Sequence, residues 1–153
     1  MSEHVATVTW QRGDQAFVDN RYSRVHRWQF DGGAEVAASA SPSSVRPPFS
    51  DPAGVDPEEA FIAALSSCHM LWFLFFAAKA KLLVDSYEDA AVGALGKNAE
   101  GKIAFTRVTL RPKVRLAGGG EIPAAELDRL HHDAHAQCFI AHSVTAELSV
   151  EPR

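Results

Sequence analysis

From Ala60 to Ala78 the chain reads AFIAALSSCHMLWFLFFAA, 19 residues without a formal charge. By length that run qualifies as a membrane-spanning helix. Its centre, Ser66-Ser67-Cys68-His69, carries polar groups that lipid would leave without partners. The remaining chain reads as short strands and one more helix, which need a central element to pack on. A helix that is apolar all round is the form a buried core helix takes. A soluble domain built around this helix is therefore expected, with no membrane partner.

The start of the helix is written into the residues before it. Asp56 is a favoured N-cap, Pro57 suits the first helical position, and Glu58 and Glu59 fall where the helix dipole favours negative charge. The helix is expected to run to about Lys81, roughly 37 Å at 1.5 Å per residue. Upstream, Pro42, Pro47, Pro48, Pro52 and Pro57 forbid regular structure and predict a long loop.

Strands are expected on both sides. Val5–Trp10 is short. Val25–Phe30 alternates with period two, Asp31-Gly32-Gly33 turns, and Ala34–Ala40 returns. Ser86–Leu95 and Lys102–Leu116 predict a hairpin around Gly96–Gly101, with Pro112 marking an edge or a bulge. The glycines at 118–120 read as a turn without phosphate-binding spacing. A second helix is expected from about Pro123. Its Leu127, Leu130, Ala134 and Cys138 share one face, so Cys138 should point inward. Ser143–Glu151 alternates as a last strand. The order β, β, long helix, β, β, helix, β predicts an α+β fold, with 1–153 as a single domain.

Fifteen basic residues against nineteen acidic give a net charge of −4, with no basic block. That argues against a nucleic-acid partner. The opening MSEHVATVTWQRGD lacks the basic-then-apolar pattern of a secretory signal, so a cytoplasmic location is expected. In that compartment two cysteines 70 positions apart are more in keeping with reduced or redox-active thiols than with a permanent bridge.

Cys68 and Cys138 are the candidate nucleophiles, weighed against the packing role of buried cysteine. A reactive Cys68 needs a cation or other donor aimed at it, and Arg24, Arg46 and His69 qualify by type. Glu58 lies ten residues before Cys68, about 15 Å along one helix, so it cannot touch that thiol from the same straight helix. His131, His132, His135 and His142 cluster. His131, His135 and Cys138 have a spacing that could hold Zn²⁺ with one more ligand, a competing reading. No cofactor motif is otherwise read.

The segment GVDPEEAFIAALSSCHMLWFLFFAAK, Gly54–Lys79, resembles the first-cysteine helix of the OsmC/Ohr family of thiol-dependent hydroperoxide reductases. Asp-Pro-Glu opens it, and Cys68 follows Glu58 by ten. AHAQCFIAHSVTAELSV, Ala134–Val150, is similar to the family's second-cysteine helix end and final strand. The resemblance implies antiparallel sheets around the long apolar helix in an intertwined homodimer. It implies that Cys68 reduces an organic hydroperoxide, becomes a sulfenic acid and is resolved by Cys138. An external dithiol then restores both thiols. It also implies an arginine that stabilises the thiolate and a glutamate, Glu58, that orients it. Arg24 is the expected arginine, with Arg12 and Arg46 as alternatives near positions used by the two branches of the family. The family's proline after the second cysteine is Phe139 here. A non-catalytic redox sensor or ligand-binding protein of the same fold is the alternative.

Overall fold

The structure is a computed structural model that describes residues 2–153. The chain divides into two compact units, one up to Ala60 and one from Phe61 onward. Among the described residues there are eight strands and two α-helices.

The first unit is an antiparallel meander of β1 (Ala6–Thr9), β2 (His26–Phe30) and β3 (Glu35–Ala38). Val8 lies opposite Trp28, and Trp28 opposite Val36. The expected turn is present, closed by Gly33 at φ 84°. The proline-rich segment is irregular, as expected, but it is pinned to β3. Ser39 N–H donates to the Val55 carbonyl, Val55 N–H to Ala37, and Asp51 N–H to the Ser39 hydroxyl. Gly54 fits here because a Cβ would lie 3.1 Å from Ala38 and Ser39 backbone atoms.

Helix α1 (Pro57–Lys79) starts with a reciprocal capping box. The Asp56 carboxylate accepts the Glu59 N–H at 2.8 Å, and the Glu59 carboxylate accepts the Asp56 N–H at 3.2 Å. The helix ends two residues before the expected Lys81. Lys81 instead takes φ 61°, and Leu82 N–H closes on the Ala77 carbonyl.

In the second unit Leu65, His69, Phe73 and Ala77 form the buried row of α1, four apart. Two core clusters sit on it. Phe73 and Ala77 meet Leu130 and Ala134 of α2 (Ala124–Gln137), and Leu65 meets Val108 and Leu110. The opposite side of α1 is open: Leu71 is 60% exposed and Phe75 50%. Long and apolar enough to span a bilayer by length and composition, α1 serves here as the element on which this unit packs.

Both expected long strands are broken. Ser86–Leu95 becomes parts of β4 (Val84–Asp89) and β5 (Val92–Lys97). Lys102–Leu116 becomes β6 (Ile103–Leu110) and β7 (Pro112–Leu116). The hairpin pairing survives, β5 with β6 and β4 with β7, but both strands bend at the same level. Pro112 is the cause on one side: it has no N–H and sits, buried, as the first residue of β7. Asp89 fills the bend by accepting the Arg111 N–H at 2.6 Å and the Ser66 hydroxyl at 2.5 Å. At Gly93 a Cβ would lie 2.6 Å from the Phe105 ring, which stacks on Phe61 at 4.7 Å.

The last strand is shorter than expected. Ala141–Ser143 forms a 3-10 turn, and β8 covers Glu147–Val150. β8 runs parallel to β6, with Val108 opposite Leu148. One parallel pair therefore joins the otherwise antiparallel sheets.

Candidate active site

Cys68 lies on α1, half-buried, and Cys138 is the fully buried C-cap of α2. The inward face read from Leu127, Leu130 and Ala134 continues to Cys138, and α2 ends there because Cys138 leaves helical geometry (ψ 107°). Residues 70 apart in sequence become neighbours: the Cys68 thiol acts on the titration of Cys138, and both thiols are free. Burial, and then the neighbouring Cys68 thiol, push the Cys138 thiol up to about 11. The Ala141 N–H donates to the Cys138 sulfur at 3.4 Å. In this pair Cys138 keeps its proton and lies deeper, whereas Cys68 is the thiol solvent can reach. Phe139, which replaces the expected proline, packs edge-on against Trp72 with centroids 5.7 Å apart.

Glu58 and Arg24 belong to the first unit. Glu58 is half-buried in the first turn of α1, and its Oε2 is buried without a hydrogen-bond partner. Arg24 is half-buried. Its Nη1 donates to the carbonyls of Asn20 (3.1 Å) and Tyr22, and Nη2 donates to the Asn20 side-chain oxygen at 2.6 Å. Its guanidinium carbon lies 3.8 Å from the Tyr22 ring centre. Arg12 is exposed and bound to the Gln15 carbonyl, and Arg46 is exposed. Among the described residues none of these three arginines pairs with a carboxylate.

The metal reading is corrected. Among the described residues no group of three His, Cys, Asp or Glu side chains could hold an ion. His131 instead turns its Nδ1 to His69 Nε2 at 3.0 Å, and the Cys138 sulfur accepts the Ala141 N–H. His69 is not aimed as a cation at its neighbour Cys68; it is fully buried in this pair. Burial holds both imidazoles down to about 4, with the His131 and His135 charges also acting on His69. Both are therefore neutral at pH 7. His69 Nδ1, His131 Nε2 and the Tyr87 hydroxyl are buried without partners. Burial, then the nearby Asp89 charge, raise the Tyr87 phenol. Sequence reasoning missed this polar interior, although one signal was available: His69 falls on the row Leu65, Phe73, Ala77.

Two neighbouring free thiols inside an α+β unit, one on a long apolar helix and one at the end of a shorter helix, define a dithiol protein. The sequence model for OsmC-like proteins matches residues 50–153, and the chain belongs to the OsmC-like family. Its fold is similar to that of an OsmC-like protein of unknown function from Vibrio cholerae, with 56% identity, full coverage of both chains and a TM-score of 0.96. An organic hydroperoxide resistance protein from Elizabethkingia anophelis is 17% identical, with coverage of 99% of this chain and 94% of that one and a TM-score of 0.71. The organic hydroperoxide resistance protein OhrB of Bacillus subtilis is 16% identical, with coverage of 99% and 98% and a TM-score of 0.66. At those identities the likeness concerns the fold. No curated protein matches the chain.

Proposed function

We propose that the protein is a thiol-dependent peroxidase that reduces organic hydroperoxides. The observation that carries this reading is that the reachable Cys68 neighbours the buried, protonated Cys138. The Cys68 thiolate attacks the distal peroxide oxygen, the O–O bond breaks, and the alkoxide takes a proton from solvent and leaves as the alcohol. Cys68 is then a sulfenic acid. Cys138 attacks its sulfur, a disulfide forms, and water leaves with the Cys138 proton. An external dithiol of the cytoplasm returns both thiols by exchange.

Arg24 is assigned to stabilise the thiolate and Glu58 to orient Arg24. Two features support those roles: Arg24 has no carboxylate partner of its own, and Glu58 has an orphaned buried oxygen that needs a donor. The assembly is an intertwined homodimer. The exposed Leu71 and Phe75 of α1 support it, since a second copy would remove that apolar surface from water.

The test is a thiol count with intact mass on the reduced protein, before and after one equivalent of cumene hydroperoxide. Loss of both thiols and of two hydrogens is expected, abolished in Cys68→Ser and in Cys138→Ser. Turnover with dithiothreitol is expected in the wild type. Survival of both thiols in excess peroxide would remove the activity. Oxidation without turnover would make the protein a sensor.

A further inference from the structure

The first unit holds an open-mouthed cavity of about 470 Å³, lined by Val8, Trp10, Phe17, Tyr22, Arg24 and His26 among others. Its lining is almost wholly apolar. Three rings pack on one another around it: Phe17 to Tyr22 at 4.7 Å, Trp10 to Tyr22 at 5.4 Å and Trp10 to Phe17 at 5.8 Å between centroids. Yet Phe17 remains 48% exposed and Trp10 37%.

The segment that carries these rings is fixed by its polar groups. The Trp10 indole N–H donates to the Ser23 carbonyl at 2.8 Å. Gln15 accepts from Ser23 N–H at 2.6 Å and donates to the Arg12 carbonyl at 2.9 Å. Asn20 N–H donates to the Phe17 carbonyl at 2.9 Å. Those bonds tie down the segment that presents the rings. A preformed apolar concavity with one or two polar groups is the usual form of a small-molecule site.

The charge on its wall restricts the ligand. Of the five guanidinium donors of Arg24, Nη1 uses both of its hydrogens on the Asn20 and Tyr22 carbonyls, and Nη2 uses one on the Asn20 side chain. Asn20 thus spans both Nη atoms and takes the end-on edge of the fork. The side-on edge, Nε–H and the second Nη2–H, has no acceptor among the described residues. That edge matches a carboxylate with two parallel hydrogen bonds. His26 adds no competing negative charge: its Nδ1–H donates to the Arg24 carbonyl at 2.7 Å. No Asp or Glu is among the lining residues.

We propose that this cavity binds an aromatic carboxylate, its ring among Trp10, Phe17 and Tyr22 and its carboxylate on the side-on edge of Arg24. The binding stands on the first unit alone and requires no thiol chemistry. An occupied Arg24 would also be withheld from any other anion, so such a ligand would act as a competitor of peroxide turnover.

The test is calorimetric titration of the reduced, full-length Cys68→Ser protein with 2-naphthoate and with its uncharged analogue 2-naphthalenemethanol. Peroxide is absent, so failure here leaves the peroxidase reading untouched, and the reverse also holds. Saturable binding of one naphthoate per chain is expected, with the alcohol about tenfold weaker or more. Phe17→Ala touches none of the side-chain hydrogen bonds and should weaken naphthoate by a similar factor with an unchanged circular dichroism spectrum. Equal affinity for the two ligands would overturn the role of Arg24, and an unaffected Phe17→Ala would overturn the location. Absence of saturation at millimolar ligand, as expected if a second copy of the chain fills the cavity, would overturn the proposal as a whole.

Discussion

Acid should unfold this protein earlier than its carboxylates alone would dictate, through His69 and His131. Both imidazoles titrate near 6.5 when free and at about 4 in the folded chain, because burial disfavours their charged forms. The unfolded chain therefore binds more protons between those values. Stability is fully present above pH 6.5 and is lost as pH falls toward 4. At about 1.4 kcal/mol per unit, the full difference is roughly 3 kcal/mol for one imidazole. At pH 5 the loss is already about 2 kcal/mol for each, or up to about 4 kcal/mol for the pair.

The groups facing His69 do not reverse the sign. His131 and His135 lower its affinity for a proton, and Asp89 raises it by less than burial takes away. The assay is urea unfolding of the wild type and of His69→Leu/His131→Leu at intervals from pH 7.5 to pH 5. The wild-type midpoint should fall steadily below pH 6.5, and that of the double variant should stay level to about pH 5. Equal slopes in the two proteins, or a flat wild-type profile, would refute the reasoning. A single replacement is the harsher change at pH 7, since it strands the remaining ring without its one partner, at about 1–3 kcal/mol.

Four further outcomes follow from the geometry. Asp56→Ala removes one half of the capping box and should cost about 1 kcal/mol in urea unfolding. Gly93→Ala forces a methyl group to within 2.6 Å of the Phe105 ring and should cost about 1–3 kcal/mol, with loss of the Phe61–Phe105 stacking seen in aromatic NMR shifts. Cys138→Ser, treated with one equivalent of hydroperoxide, should gain the mass of one oxygen and react with a sulfenic-acid probe, whereas the wild type should not retain that species. Phe75→Glu places a charge on the open face of α1 and should shift the protein from dimer to monomer in sedimentation velocity; unchanged sedimentation would show that this face is not the interface.

Much of the framework was legible along the chain. The Asp56 cap, the long apolar helix, the inward face ending at Cys138 and the first meander all rest on local rules: capping chemistry, helical or strand period, and turn glycines. The misses share a different character. Pro112 marked an irregularity in one strand, but that the opposite strand breaks at the same level needed knowledge that Asp89, 22 residues away, would accept the Arg111 N–H. The parallel pairing of β8 with β6 needed knowledge of where α2 delivers the chain. The histidine cluster read as metal ligands because spacing on one helix does not reveal a partner on another. His131 is claimed by His69, 62 residues earlier.

By itself, then, the sequence determined the elements and the two thiols, because each element is specified by neighbours within a few residues. Tertiary structure alone decided what those elements bring together. Cys68 neighbours Cys138, and the imidazoles of His69 and His131 are buried and thereby kept neutral. Contacts of that kind depend on distances and desolvation between distant segments. Neither quantity has a period or a spacing that a linear chain can display.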